Sequence, residues 1–164
     1  MGGWTKYSGT SRQDLKKLQE RKQLPPARLG YYGAIMANGR SALVDLTYTF
    51  ARLIIGLLFA CHGAQKLFGV LGGTSQLGHT KMMIAAIIEF GGGLLIALGL
   101  FTRVAAFIAS GEMAAAYFTA HAPHGFWPII NKGELAVAYC FFFLFVAAYG
   151  AGPYSLDRLL RRKL

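Results

Sequence analysis

The chain has 164 residues, 54% of them hydrophobic before its 21 glycines are counted, with a net charge of +10 and a mean hydropathy of +0.41. That balance is too apolar for a soluble core under a polar skin and points to a membrane protein. Residues 1–45 carry eight Lys/Arg against three Asp/Glu, residues 46–150 five against three, and residues 151–164 four against one; a nucleic-acid-binding domain would spread its basic stripe over a folded core and is excluded, whereas basic flanks around apolar spans suit an anionic membrane surface.

In chain order, residues 1–45 read as a basic cytoplasmic arm. It holds one short helix over 11–24, which Ser11 caps with Asp14 three residues later and which Pro25-Pro26 ends. Only Leu15, Leu18 and Leu24 are apolar there, too few to bury the helix on its own protein. The arm therefore rests on lipid headgroups or docks on a partner subunit. Four apolar stretches follow, over 46–66, 82–100, 104–121 and 135–151, each near the roughly 20 residues that cross about 30 Å of hydrocarbon. The first is expected to be a retained span, not a cleaved signal. Phe101-Thr102-Arg103 is all that joins the second and third, which makes them an antiparallel hairpin, while the loops over 67–81 and 122–134 lie together on the other side. Residues 152–164 read as a basic cytoplasmic tail.

The expected fold is all-α: an integral membrane four-transmembrane-helix bundle over 46–151 behind a basic N-terminal arm. The Lys and Arg count puts both termini and Arg103 on one side, against Lys66, Lys81 and Lys132 on the other, so the termini are cytoplasmic in a bacterial inner membrane. Small residues at four-residue spacing, Gly56/Ala60/Ala64, Gly93/Ala97 and Gly111/Ala115, are expected to let the helices approach closely. Cys61 and Cys140 lie in separate apolar runs without CxxC spacing, which excludes a disulfide framework or a zinc site.

Polar groups inside spans are costly and mark function by default. Arg52 lies within snorkelling reach of the cytoplasmic headgroups. His62, Gln65 and Lys66 share one face at the outer end of the first span. Glu89 enters the second span about 12 Å deep from the outer side, where Lys66 or His62 is the nearest counter-charge. His121, His124 and Glu134 come from the third and fourth spans and the loop between them, so His62, Gln65, Lys66, Glu89, His121, His124 and Glu134 form a candidate outer-side polar pocket. Glu112 stands apart as a mid-membrane carboxyl, roughly opposite His121 on its helix, and its partner is Tyr139, a proton or another subunit. The pocket suits a quinone or a small sulfur compound, with imidazoles to move protons and a lysine to hold an anion. Neither a metal nor a haem is implied, because no tight ligand spacing or attachment motif is present; a quinone or a lipid fits better.

The segments Arg52-Leu-Ile-Ile-Gly56, His62-Gly-Ala-Gln-Lys66, Glu89-Phe-Gly-Gly-Gly93, Gly99-Leu-Phe-Thr-Arg103, His121 with Gly125-Phe126, Gly133-Glu134 and Gly152-Pro-Tyr-Ser-Leu-Asp157 resemble, in that order, the DoxX/DoxD family of small four-span membrane proteins. The resemblance covers residues 46 to 160 and implies kinship with the membrane subunit of thiosulfate:quinone oxidoreductase and with proteins of thiol and redox homeostasis. It carries over Arg52, His62, Gln65, Lys66, Glu89, Arg103, His121 and Glu134; Glu112 and the basic arm stand outside the pattern. Two functions follow as expectations. One is an accessory subunit held through its arm and transmembrane helices in a larger respiratory or photosynthetic electron-transfer complex. The alternative is the membrane subunit of a quinone-linked oxidoreductase acting on thiosulfate or thiols at the outer pocket.

Overall fold

The computed structural model describes residues 26–76 and 78–161, with side chains described from residue 42 to 160. The helix expected over 11–24 lies outside the described residues. No strand occurs among the described residues, which form helices α1 (Pro26–Phe68), α2 (Thr80–Ile87), α3 (Gly93–Leu98), α4 (Thr102–Ala116), α5 (Pro128–Asn131), α6 (Glu134–Tyr149) and α7 (Leu156–Arg161). Two π-helical turns interrupt this order: Ile88–Gly92 joins α2 to α3, and Tyr117–His121 continues α4.

The first helix begins at Pro26, and its apolar span begins at Ala42, close to the start expected at residue 46. Proline suits a first helical position, where its missing N–H has no intrahelical partner to lose. Residues Val44–Leu164 form one compact unit. Within it, Ala42–Phe68 (27 residues, mean hydropathy 1.7) and Thr80–Leu98 (19 residues, 1.8) are long and apolar enough to cross a bilayer. The 16 residues of α6 are apolar but shorter, and α4 has 15 residues before its π turn. Large apolar side chains lie exposed along all four segments, among them Ile54, Leu57, Ile84, Ile87, Phe107, Ile108, Phe141 and Phe145. A surface of this kind is suited to lipid, not water.

Backbone approach organises the unit. A Cβ on Gly63 would stand 2.2 Å from the Phe90 nitrogen, and one on Gly93 would stand 2.6 Å from the Ala60 nitrogen. Both contacts are impossible for a larger residue, so α1 and the helix Thr80–Leu98 touch main chain to main chain along Gly56, Ala60 and Gly63. The stripe expected on the third span behaves differently. Gly111 and Ala115 are exposed, with nothing within 4 Å of a Cβ built on Gly111, while Ala105, Ala106, Ala109, Ser110 and Met113 form the buried face of α4. Four-residue spacing places two residues on one face without saying which face meets protein. The buried face of α4 packs with α6, whose Tyr139, Phe143 and Val146 join Phe59 and Ile96 in the core.

At one end of this unit, Gly99 ends α3 in the left-handed conformation at φ 72°. Its N–H bonds the Ile96 carbonyl and the Leu100 N–H reaches back to Leu95, a closure that a side chain would strain. Phe101, also left-handed at φ 46°, is held by a residue from the far end of the chain. The Asp157 carboxylate of α7 accepts from the N–H of Phe101 (2.8 Å), the N–H of Thr102 (3.0 Å) and the Thr102 hydroxyl (3.0 Å). The segment expected to be only a basic tail thus supplies the cap of α4.

Candidate functional site

The close contact at Gly63 brings the end of α1 against the π turn Ile88–Gly92. There Lys66 Nζ lies 2.5 Å from Glu89 Oε1. Of the two counter-charges open to Glu89, the ion pair is made with Lys66. Glu89 is 2% exposed, so the pair is withdrawn from solvent on the carboxylate side. The π turn follows from local sequence: Gly91, Gly92 and Gly93 are poor helix formers, and open space surrounds Gly91 and Gly92 where a Cβ would stand. Tertiary packing does not require those two glycines, and their low helix propensity makes it cheaper for the helix to leave α geometry beside Glu89.

Glu112 stands on α4, which packs against the π turn that holds Glu89. Each carboxylate keeps a buried oxygen without a hydrogen-bond partner, Oε2 of Glu89 and Oε2 of Glu112. Tyr139 of α6 lies within electrostatic range of Glu89 and Cys61. Its ring stacks on Phe143 at 5.6 Å and meets His62 edge-on at 6.2 Å. Lys66 pairs with Glu89, His62 meets Tyr139, and Glu112 lies on α4 against the same π turn, so groups able to donate, accept and hold protons gather at this end.

The remaining expected pocket residues do other things. Gln65 donates to the Leu71 carbonyl at 2.9 Å and fastens the loop after α1. His121 sits in the second π turn, stacked on Tyr117, and its Nδ1–H donates to the Asn131 carbonyl at 3.1 Å. That bond leaves Nε2 as the free acceptor nitrogen. Tyr117 in turn donates to the Phe126 carbonyl, and the Asn131 amide bonds Gly125 at 2.5 Å and accepts from the Gly133 N–H at 2.8 Å. This clasp folds the loop over α4 and α6. His124 is exposed and bonds the nearby Ala120 carbonyl at 3.1 Å; Glu134 is exposed in the first turn of α6, where a negative charge favours the helix dipole. Among the described residues, no hydrogen bond, ion pair or ring contact joins His121, His124 or Glu134 to Lys66 or Glu89.

A second polar centre occupies the other end. Arg52 does not snorkel to the headgroups: it is 2% exposed. Its Nη1 donates to the carbonyls of Ile96 and Ala97, the latter at 3.0 Å, and its Nη2 donates to Tyr154 at 2.9 Å. The end of a helix leaves its last carbonyls unpaired, and within hydrocarbon a guanidinium turned inward satisfies several of them at once. Arg103 does the same for α6, donating to Ala147, Ala148 and Tyr149, and Tyr48 donates to the Gly150 carbonyl. Tyr117, Asn131 and Tyr48 carry no motif in the sequence. The signal available for Asn131 was a lone amide after two isoleucines, and for Asp157 its place at the close of Gly-Pro-Tyr-Ser-Leu-Asp.

The DoxX family profile matches residues 47–122, the stretch that holds Arg52, His62, Lys66, Glu89, Glu112 and His121. An uncharacterized protein of Haemophilus influenzae is 42% identical over 121 residues, 70% of this chain and 90% of its own length. The inner membrane protein YqjF of Escherichia coli is 33% identical over 129 residues, 74% of this chain and 97% of its own length. No solved structure gives a significant match. With nearly the full length of two relatives matched and the polar framework of α1 to α4 inside the family profile, this chain belongs to the DoxX family of membrane proteins.

Proposed function

We propose that the chain is a four-span protein of the bacterial inner membrane whose interior cluster supplies the acid–base chemistry of a quinone-linked oxidoreductase acting on thiosulfate or a thiol. Four spans are supported by the antiparallel order of α1, Thr80–Leu98, α4 with its π turn, and α6, each bearing an apolar exposed face. The excess of Lys and Arg in the termini and at Arg103 supports a cytoplasmic position for that end and an outward position for Lys66.

One observation carries the chemical reading: the buried Glu89 carboxylate paired with a half-buried Lys66, with one oxygen of Glu89 and one of Glu112 buried and unsatisfied among apolar helices. Ionisable groups at such depth are expensive and are kept for what they do. A quinone dissolves in the same hydrocarbon and takes up two protons with two electrons on reduction. Joining two thiosulfates, or two thiols, through a sulfur–sulfur bond releases those two electrons. His62, Glu89 and Glu112 are the nearby groups able to deliver the protons.

The test is quinone reduction with thiosulfate or a dithiol by the full chain in nanodiscs, alone and with its co-purifying partners. His62→Ala and Glu89→Gln are expected to lower the rate at least about 100-fold, the usual worth of a positioned acid or base. A folded Glu89→Gln protein at full rate overturns the reading. A second reading, an accessory subunit of a larger electron-transfer complex, is favoured by the outward Gly111 and Ala115, which leave room on α4 for another helix. In that case, deleting residues 1–40 releases the chain from a large complex on a native gel, and unchanged co-migration removes the docking role of the arm.

A further inference from the structure

We infer that the Lys66–Glu89–Glu112 cluster is a proton-binding site that, at rest, holds one exchangeable proton on Glu112. The inference deepens the acid–base reading of this cluster, on which it rests, by naming the group that carries the proton. Charge counting leads to it. Lys66 brings one positive charge and the two carboxyls bring two negative charges if both are ionised, which leaves an uncompensated charge among apolar helices. Hydrogen-bond counting leads to the same place, because Glu89 Oε2 and Glu112 Oε2 are both buried and both lack a donor.

Both of these oxygens are buried. A proton needs no volume, and it supplies the missing charge and a missing donor together. Glu89 is the carboxyl that stays ionised, since its Oε1 is 2.5 Å from the ammonium. Glu112 has no ion pair among the described residues, and α4, which carries it, packs against the π turn that holds Glu89. Tyr139, with His62 at its edge and Cys61 and Glu89 in electrostatic range, closes the group from α6 and α1. The π turn at Ile88–Gly92 and the π turn after α4 place irregular helix next to both carboxyl-bearing segments, a feature common where helices hold functional groups.

The experiment is infrared spectroscopy of the full chain in detergent at neutral pH, before and after exchange into deuterium oxide, with no quinone or sulfur compound added. A carboxylic-acid C=O band that shifts on deuteration is expected in the wild type. Glu112→Gln removes it, Glu112→Asp keeps it at a changed frequency, and Lys66→Met increases it about twofold, since both carboxyls must then be neutral. Absence of the band in the wild type overturns the inference, as does a band of full strength in folded Glu112→Gln. Because the measurement needs no turnover, the two claims separate: the band with no quinone reduction removes the proposed reaction, and reduction without the band removes the proton site.

Discussion

Both ends of this helical unit bury polar groups, and they do so by different chemistry. At the Arg52 end, charged side chains are spent on backbone: Arg52 and Arg103 donate to six carbonyls between them, and Asp157 accepts from the main chain of Phe101 and Thr102. Backbone groups at helix ends have fixed positions, so these bonds fix geometry; among the described residues, Arg52 Nε is the one buried side-chain nitrogen or oxygen at this end without a partner. At the Lys66 end the ammonium pairs with Glu89, and one oxygen of Glu89 and one of Glu112 are left without a partner. A saturated polar centre holds a structure together, whereas an unsaturated one retains the capacity to bind.

The contrast is sharpened most by Arg52→Met. Losing the guanidinium leaves the carbonyls of Ile96, Ala97 and Tyr154 without it, at an expected cost of about 3 kcal/mol, read as a loss of folded protein in a detergent thermal-stability assay. If Arg52→Met were as stable as wild type, the Arg52 end would not be the structural anchor. A smaller effect is expected at the other end. Lys66→Met and Glu89→Gln should each destabilise by about 1–2 kcal/mol, the scale of polar contacts between membrane helices. The double variant should recover most of the loss, because it removes both charges together. Additive losses in that cycle would deny the pair its coupling. The smallest change is expected from Asp157→Asn, which keeps one acceptor oxygen toward Phe101 and Thr102 and should lower stability by about 1 kcal/mol, as for a weakened helix cap, with no effect on proton binding at Glu112. A loss of the Glu112 infrared band in Asp157→Asn would show that the two ends do not act separately.

The helices were legible because their composition is extreme. Runs at 46–66, 82–100, 104–121 and 135–151 overlap Ala42–Phe68, Thr80–Leu98, α4 with its π turn, and α6 to within a few residues, although α1 itself extends back to Pro26. The Lys66–Glu89 contact was legible as one of two options, since both residues sit at comparable depth on adjacent helices. Its selection over His62–Glu89 was not, because it depends on Gly63 allowing the two backbones within contact of each other. Arg52 was misread for a general reason: distance to the headgroups can be counted along a helix, but whether a side chain turns outward to them or inward to the open carbonyls of a neighbour is set by that neighbour.

Hydropathy, glycine spacing and the placement of Lys and Arg carry the helical class, the family and the identity of the ionisable residues, because each is a property of one segment and one solvent. The partners of those residues depend on pairs of segments brought to within a few ångströms. Glu112 shows the difference. Along the chain it is a lone carboxyl in an apolar run, and its place beside Glu89 and Lys66 exists only because α4 packs against the π turn Ile88–Gly92.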